Sequence, residues 1–115
     1  MGFVEWATKG WKEKKYFVFL IRNSKGEIGC AVDIKSDYKD MAEVGYWASI
    51  DSPGLVTNAL IKVCELAKVE GYKRLFALVM TDNTKSADVA KRAGFGEVGS
   101  EEKEGKKYKR LEKIL

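Results

Sequence analysis

The side chains available for acid–base chemistry in this 115-residue chain exclude histidine, because the sequence contains none. Histidine is the commonest general base and metal ligand, so proton transfer falls to carboxylates, tyrosine, lysine, serine or water. Cys30 and Cys64 lie far apart and form no Cys-x-x-Cys pair. They predict buried free thiols rather than a zinc site, and we predict no bound metal.

A candidate anion-binding segment lies at Gly54, where an apolar helical stripe begins: Val56, Ala59, Leu60, Val63, Cys64 and Ala67. Ser52 is a good N-cap and Pro53 is suited to the first turn, while Gly71 predicts the end of the helix. The unpaired N–H groups of a helix N-terminus can hold a pyrophosphate, and Gly54 permits close approach. A structural cap formed by residues 51–54 explains the same residues equally well.

The elements that position this segment are six predicted strands and two helices. Apolar runs and alternating patterns predict strands at 16–21, 28–35, 42–50 and 74–81, and a last hairpin of 95–99 and 108–115 joined by a turn at 100–105. The second helix spans about 84–93 and ends at Gly94. Strand, helix and strand in succession imply a parallel crossover. The predicted fold class is α/β (α+β): a mixed, mainly antiparallel twisted sheet of about six strands with two main helices, in a single domain.

Four short motifs occur in order along these elements: A-E-V-G-Y-W at 42–47, G-L-V-T at 54–57, N-T-K-S at 83–86, and Gly94-Phe95 at the end of the second helix. Each is common alone. In this order and spacing they resemble the Gcn5-related N-acetyltransferases, specifically the branch that acetylates protein N-termini, including those of ribosomal proteins. The resemblance covers residue 16 to the C-terminus.

The resemblance implies acetyl transfer from acetyl-coenzyme A to a primary amine, either a protein N-terminus or a small amine. It implies Glu43 as base and Ser86 as the group that protonates the departing thiolate. The cofactor-binding residues that it implies are Ala48, Ser49 and Ile50 along the pantetheine, Gly54, Leu55, Val56 and Thr57 at the pyrophosphate, and Asn83. In the family, the strands that correspond to residues 42–50 and 74–81 splay apart beside the long helix. The structural alternatives are an N-cap for Asn83, a first-turn hydroxyl for Ser86 and a solvated strand residue for Glu43.

The chain departs from the family pattern at two places. The phosphate-binding signature has Arg or Gln where this chain has Asp51, and Gly or Ala where it has Val56. At an effective dielectric of ~20, a carboxylate ~8 Å from a phosphate charge costs about 2 kcal/mol before screening. The usual N-terminal strand and helices, which form a wall of the acceptor site, are predicted to be missing. These departures support the alternative of a noncatalytic acyl-coenzyme A binding or protein-interaction module.

The composition bears on location and partners. No apolar run is long enough to span a membrane and no secretory signal is evident, so a cytoplasmic protein is expected. The net charge of +4 is spread along the chain, and the basic cluster Lys106, Lys107, Lys109 and Arg110 is interpreted as protecting an edge strand rather than binding nucleic acid. Exposed sheet edges are compatible with a homodimer. The absence of Gln beside abundant Lys and Glu is a bias of thermophile proteins.

Overall fold

A computed structural model describes residues 4–7 by their main chain, and residues 17–22, 24–48 and 54–115 in full. Its seven-stranded sheet has the order β1-β2-β3-β4-β5-β7-β6. The strands and helices, in chain order, are β1 Val4–Ala7, β2 Phe17–Arg22, β3 Ile28–Ile34, β4 Ala42–Ala48, α1 Leu55–Val69, β5 Arg74–Met80, α2 Thr84–Arg92, β6 Gly96–Lys103 and β7 Lys106–Ile114. The predicted fold class is confirmed, with a mixed sheet that is parallel only between β4 and β5.

Both helices pack on one face of the sheet, which we call the helix face. The predicted stripe of α1 is buried throughout, and Ala87 and Ala90 of α2 join the same core as Leu75, Ala77 and Val79 of β5. Because side chains alternate along a strand, the odd-numbered residues of β4 point to the opposite face. No helix of the described residues covers that face, which we call the open face.

The ends of the two helices follow local sequence signals. After α1, Gly71 adopts a positive φ of 97°, and Tyr72 donates its main-chain N–H to the carbonyl of Ala67 at 3.0 Å. After α2, Gly94 has φ 99° and Phe95 donates to the carbonyl of Ala90 at 2.9 Å. Glycine adopts this left-handed conformation without steric cost, which ends both helices where the sequence predicts.

Both cysteine thiols are buried and free, as predicted. Burial raises the pKa of Cys30 and of Cys64 from 9.0 to about 11. Both side chains belong to the core on the helix face. They are therefore packing residues, and the described residues contain no group of His, Cys, Asp and Glu that could hold a metal ion.

The last hairpin has longer strands and a shorter turn than the sequence predicts. β6 continues to Lys103 and β7 begins at Lys106, so the turn is only Glu104-Gly105, both with positive φ, as a two-residue hairpin requires. Glu102 pairs with Lys107 across the strands, which favours strand where the charged sequence predicted a loop.

The interpretation of the basic cluster as edge protection is wrong, because β7 lies between β5 and β6 and β6 is the edge. Arg110 lies 3.9 Å from the ring centroid of Phe76 on β5. Its guanidinium also bonds Glu112 at 2.8 Å and Glu101 at 2.9 Å. Burial alone would lower the pKa of Arg110, but these two carboxylates raise it.

The N-terminal part contains a strand, β1, although the usual N-terminal strand was predicted from the sequence to be missing. β1 pairs antiparallel with β2, from Val4 opposite Ile21 to Ala7 opposite Val18. Residues 8–16, between β1 and β2, lie outside the described residues. The absence of the family's N-terminal helices stays a prediction. Among the described residues, no helix is long and apolar enough to cross a membrane.

Candidate functional site

The sheet opens between β4 and β5. Their parallel ladder contains only two pairs, Ala42 with Leu75 and Glu43 with Phe76, although each strand continues for several more residues. Beyond those pairs the two strands separate towards their carboxyl ends. The predicted splay beside the long helix is therefore present.

The hydrogen-bond alternation of the flanking ladders shows which main-chain groups line this opening. Lys35 donates its N–H to the carbonyl of Glu43 at 2.8 Å, so the odd residues of β4 bond β3 and the N–H and C=O groups of Tyr46 and Ala48 point towards β5. Thr81 donates to the carbonyl of Lys107 at 3.3 Å, so the groups of Leu78 and Met80 point towards β4 in the same way. The opening thus presents main-chain donors and acceptors from both sides.

A cleft of about 290 Å³ occupies the opening. Its lining residues come from both faces of the sheet. Val44, Tyr46, Ala77, Val79 and Ser86 belong to the helix side, and Asp33, Lys35, Glu43, Gly45, Trp47 and Leu78 belong to the open side. The one cleft therefore touches residues whose side chains belong to both faces of the sheet.

The helix-side mouth of the cleft is formed by Tyr46 and Ser86. The Tyr46 hydroxyl donates a 2.7 Å hydrogen bond to the main-chain carbonyl of Ser86, which ties β4 to the first turn of α2 across the cleft. Burial raises the pKa of Tyr46, and an interaction with the Ser86 side chain lowers it by less. This mouth therefore carries two hydroxyl groups and no carboxylate of a lining residue.

The open-side mouth is charged and is formed by Asp33, Lys35 and Glu43. Asp33 Oδ1 accepts the main-chain N–H of Gly45 at 2.9 Å. Glu43 lies half-buried at the closed end of the opening, in the last residue pair between β4 and β5. Trp47 is 54% exposed at the same mouth, whereas Tyr46 packs against the core.

Both helices begin at the carboxyl ends of β4 and β5, where the strands separate. Gly54 is the N-cap of α1 with φ 86° and offers no capping side chain, and no acidic residue lies in the first turn. Asn83 caps α2 by accepting the N–H of Ser86 at 3.1 Å, which establishes its structural role. In open α/β sheets this end of the strands is where ligands bind.

The structure brings some of the predicted site residues together. Glu43 and Ser86 line the cleft from opposite mouths, Ala48 ends β4, and Gly54 begins α1. Leu55 packs against the core and Val56 lies in it, so any contact of these residues with an anion is through the main chain, as for half-buried Thr57. Ser49, Ile50 and Asp51 lie outside the described residues.

Two lining residues, Asp33 and Lys35, were not predicted. The period-2 pattern of β3 places both on the face opposite its buried residues, and the register places Asp33 directly beside Gly45. A charged residue beside a glycine on the next strand was the signal available. It required the strand register, which the sequence alone does not specify.

The comparisons with known proteins agree with this arrangement. The family model of the acetyltransferase (GNAT) domain matches residues 2–96. The comparison with curated protein sequences gives no match. Three solved structures share the fold: the microcin C7 self-immunity acetyltransferase MccE in complex with acetyl-CoA and AMP (TM-score 0.80, 24% identity), the ribosomal-protein-S5-alanine acetyltransferase of Vibrio fischeri (0.78, 21%) and Mycobacterium smegmatis RimJ in complex with CoA-disulfide (0.78, 23%).

These likenesses extend over almost the whole chain. They cover 93%, 93% and 92% of it, respectively, but the chain spans only 65%, 66% and 56% of the three proteins. At these identities the likeness establishes the fold, and the residues of the cleft must carry any argument about chemistry.

Proposed function

Because this chain belongs to the GNAT acetyltransferase family, we propose that it transfers the acetyl group of acetyl-CoA to a primary amine. The observation that carries the proposal is the cleft between β4 and β5, whose lining residues differ in chemistry between the two faces of the sheet. An acyl donor and an acceptor can then approach the same point from opposite faces. This arrangement supports direct attack of the amine without a covalent enzyme intermediate.

The donor fits the helix side and the interior of the opening. A pantetheine arm carries amide groups, which match the N–H and C=O groups that Tyr46, Ala48, Leu78 and Met80 direct into the opening. The main-chain N–H groups of residues 54–57 at the start of α1 are suited to the pyrophosphate. Acetyl-CoA supplies an activated acyl carbon as its thioester.

Glu43 is the proposed base for the acceptor amine. It lies at the open-side mouth, beside the point where the two strands separate. At neutral pH a primary amine is mainly protonated, so it must lose a proton before it can attack the thioester. Glu43 would accept this proton directly or through a water molecule. General-base assistance of this kind contributes typically 10²–10⁴-fold.

Ser86 is the proposed proton donor to the departing thiolate. It lines the helix-side mouth, on the other side of the sheet from Glu43. The hydrogen bond from Tyr46 fixes the main chain of Ser86 and therefore holds the first turn of α2 against β4. Base and acid thus stand at opposite ends of the cleft.

Solved structures of the same fold suggest which amines this chain could accept. The Vibrio fischeri protein is a ribosomal-protein-S5-alanine acetyltransferase, and another solved structure of this fold is a chimera of spermidine N-acetyltransferase SpeG. We therefore propose peptide N-termini and polyamines as the two acceptor classes. We also propose, from the sequence alone, that the protein is cytoplasmic and forms a homodimer.

The test combines calorimetry with a turnover assay on the same protein sample. Acetyl-CoA titrated at moderate ionic strength should bind with a one-to-one stoichiometry, and release of free coenzyme A thiol should depend on an added peptide or on spermidine. Binding without thiol release for either acceptor would favour the noncatalytic acyl-CoA module. If acetyl-CoA gives no binding heat and does not change the melting temperature, both the acetyltransferase and the noncatalytic acyl-CoA module are excluded.

A further inference from the structure

The contact between Asp33 and Gly45 lies where β4 leaves β5. The two residues are opposite each other in the β3–β4 register, and Asp33 Oδ1 accepts the Gly45 N–H at 2.9 Å. The side chain of Asp33 stands on the open face of the sheet. The Gly45 N–H is therefore bonded to a side-chain oxygen on the open face.

Gly45 leaves room for the ends of two side chains on the open face. A Cβ there would lie 2.8 Å from Asp33 Oδ1, 3.0 Å from Lys35 Cε and 3.3 Å from Lys35 Nζ. Contacts this short force the neighbours to move. Asp33 and Lys35 thus converge above Gly45, at the open-side mouth of the cleft.

The position along β4 connects this contact with the opening. The last residue of β4 that pairs with β5 is Glu43, opposite Phe76, and the contact follows at Gly45. If the parallel ladder continued, the N–H of Leu78 would reach the carbonyl of Val44, because successive bonds in such a ladder advance by two residues on each strand. A rotation of β4 at Gly45 would take this partner out of reach, and the observed ladder ends at Glu43.

We propose that Asp33 is a positioning residue that, seated above Gly45, turns β4 away from β5 and holds the cleft open. This inference depends on the proposed function only in assuming that the cleft binds acetyl-CoA and the acceptor amine. The opening itself is a property of the ligand-free protein, so it is tested without acetyl-CoA or acceptor. Failure of this test therefore leaves the proposed acetyl transfer standing, and loss of acetyl transfer leaves this test unaffected.

Amide hydrogen exchange of the ligand-free protein, followed by NMR, tests the proposal. In the wild type the N–H of Leu78 faces the cleft and should exchange quickly, whereas that of Val79 is bonded to β7 and should exchange slowly. In Asp33→Ala the ladder should extend, so that exchange at Leu78 slows at least tenfold while Val79 stays within twofold. A folded Asp33→Ala protein with Leu78 exchange within twofold of wild type would overturn the proposal.

Three further variants keep the test decisive. Gly45→Ala displaces the carboxylate and should slow Leu78 exchange in the same way, so it decides the matter if Asp33→Ala does not fold. Asp33→Asn keeps an oxygen that can accept the Gly45 N–H, and must keep Leu78 exchange within twofold of wild type; slowing there also overturns the proposal. Asp40→Ala removes a surface carboxylate that pairs with Lys73 at 3.4 Å and controls for the loss of charge.

Discussion

The two mouths of the β4–β5 cleft differ in the chemistry they offer. The helix-side mouth has neutral hydroxyl groups, with Tyr46 bonded to the main chain of Ser86, and it lies on the face where both helices begin. The open-side mouth has Asp33, Lys35 and Glu43 and no helix of the described chain above it. A transfer reaction needs this asymmetry, because one substrate loses a proton and the other gains one.

The largest expected effect is on the open side. Glu43→Gln keeps the size of the side chain and removes the base, so kcat should fall about 100-fold. Affinity for acetyl-CoA should stay within threefold, because the donor is held from the other side. The measurement is thiol release at saturating acetyl-CoA, with calorimetry as the control. An equal loss of acetyl-CoA affinity would show that the mouths do not divide the two substrates.

On the donor side, the sequence predicts an unfavourable charge at Asp51. Asp51→Arg should tighten acetyl-CoA binding about tenfold at low salt, because it replaces a repulsion of about 2 kcal/mol before screening. The gain should shrink as salt is raised. Asp51→Asn, which only removes the charge, should give a smaller gain. Unchanged affinity in both variants would show that the phosphates lie elsewhere.

Removal of the Ser86 hydroxyl tests the acid of the helix-side mouth. Ser86→Ala should lower kcat about tenfold, at the low end of general acid–base effects, and leave the KM of the acceptor unchanged. Ser86→Thr keeps a hydroxyl and serves as the matched control. If the Ser86→Ala protein turns over at the wild-type rate, the Ser86 hydroxyl is not the acid. Ser86 would then serve only as a first-turn residue whose carbonyl accepts a hydrogen bond from Tyr46.

Asn83 separates helix capping from cofactor binding. Asn83→Ala removes the oxygen that accepts the Ser86 N–H and should lower the free energy of unfolding by about 1 kcal/mol, which lowers Tm by roughly 4 °C. Asn83→Asp should retain most of the stability. Acetyl-CoA affinity should change less than threefold once the protein is folded. A large loss of affinity at unchanged Tm would instead place Asn83 at the ligand.

The smallest effect concerns the pH dependence of the Tyr46 bond. Burial raises the pKa of Tyr46 above its ordinary value of 10.0, so its contribution to stability is present below about pH 10 and is lost as the pH rises through the raised pKa. The Tm difference between wild type and Tyr46→Phe should be constant up to about pH 9 and shrink above it. The ionisation of Cys30, Cys64 and Tyr72 is common to both proteins and cancels. A pH-independent difference up to pH 11 would contradict a buried, neutral Tyr46.

The comparison between the mouths also shows what a sequence can and cannot specify. The apolar period and the C-terminal glycine were sufficient for the body and end of α1, whose buried stripe and end at Gly71 are as predicted. The start was not, because the sequence predicts Ser52 as the N-cap and the N-cap is Gly54. The position of β7 between β5 and β6 was not predictable, because a hairpin fixes which strands are neighbours but not which of them joins the sheet. The strand β1 was missed because its four residues are too short to show a period.

The same distinction applies to the site. The resemblance implied Glu43 as base and Ser86 as acid, and the structure places both residues at one cleft. Their catalytic roles stay predictions. Asp33 and Lys35 were missed because their role depends on register across β3 and β4. Whether the first turn of α1 binds an anion stays a prediction, because a helix N-terminus has the same geometry with or without a ligand.

The most direct test of the account is chemical-shift mapping of backbone amides during a titration with acetyl-CoA. The largest changes are expected at Tyr46, Ala48, Leu78 and Met80, together with residues 55–57 at the start of α1. Lys35 and Trp47 should change less, since the donor enters from the helix side. Large changes confined to the open-side residues, or to a surface away from β4 and β5, would contradict the division of the cleft into a donor mouth and an acceptor mouth.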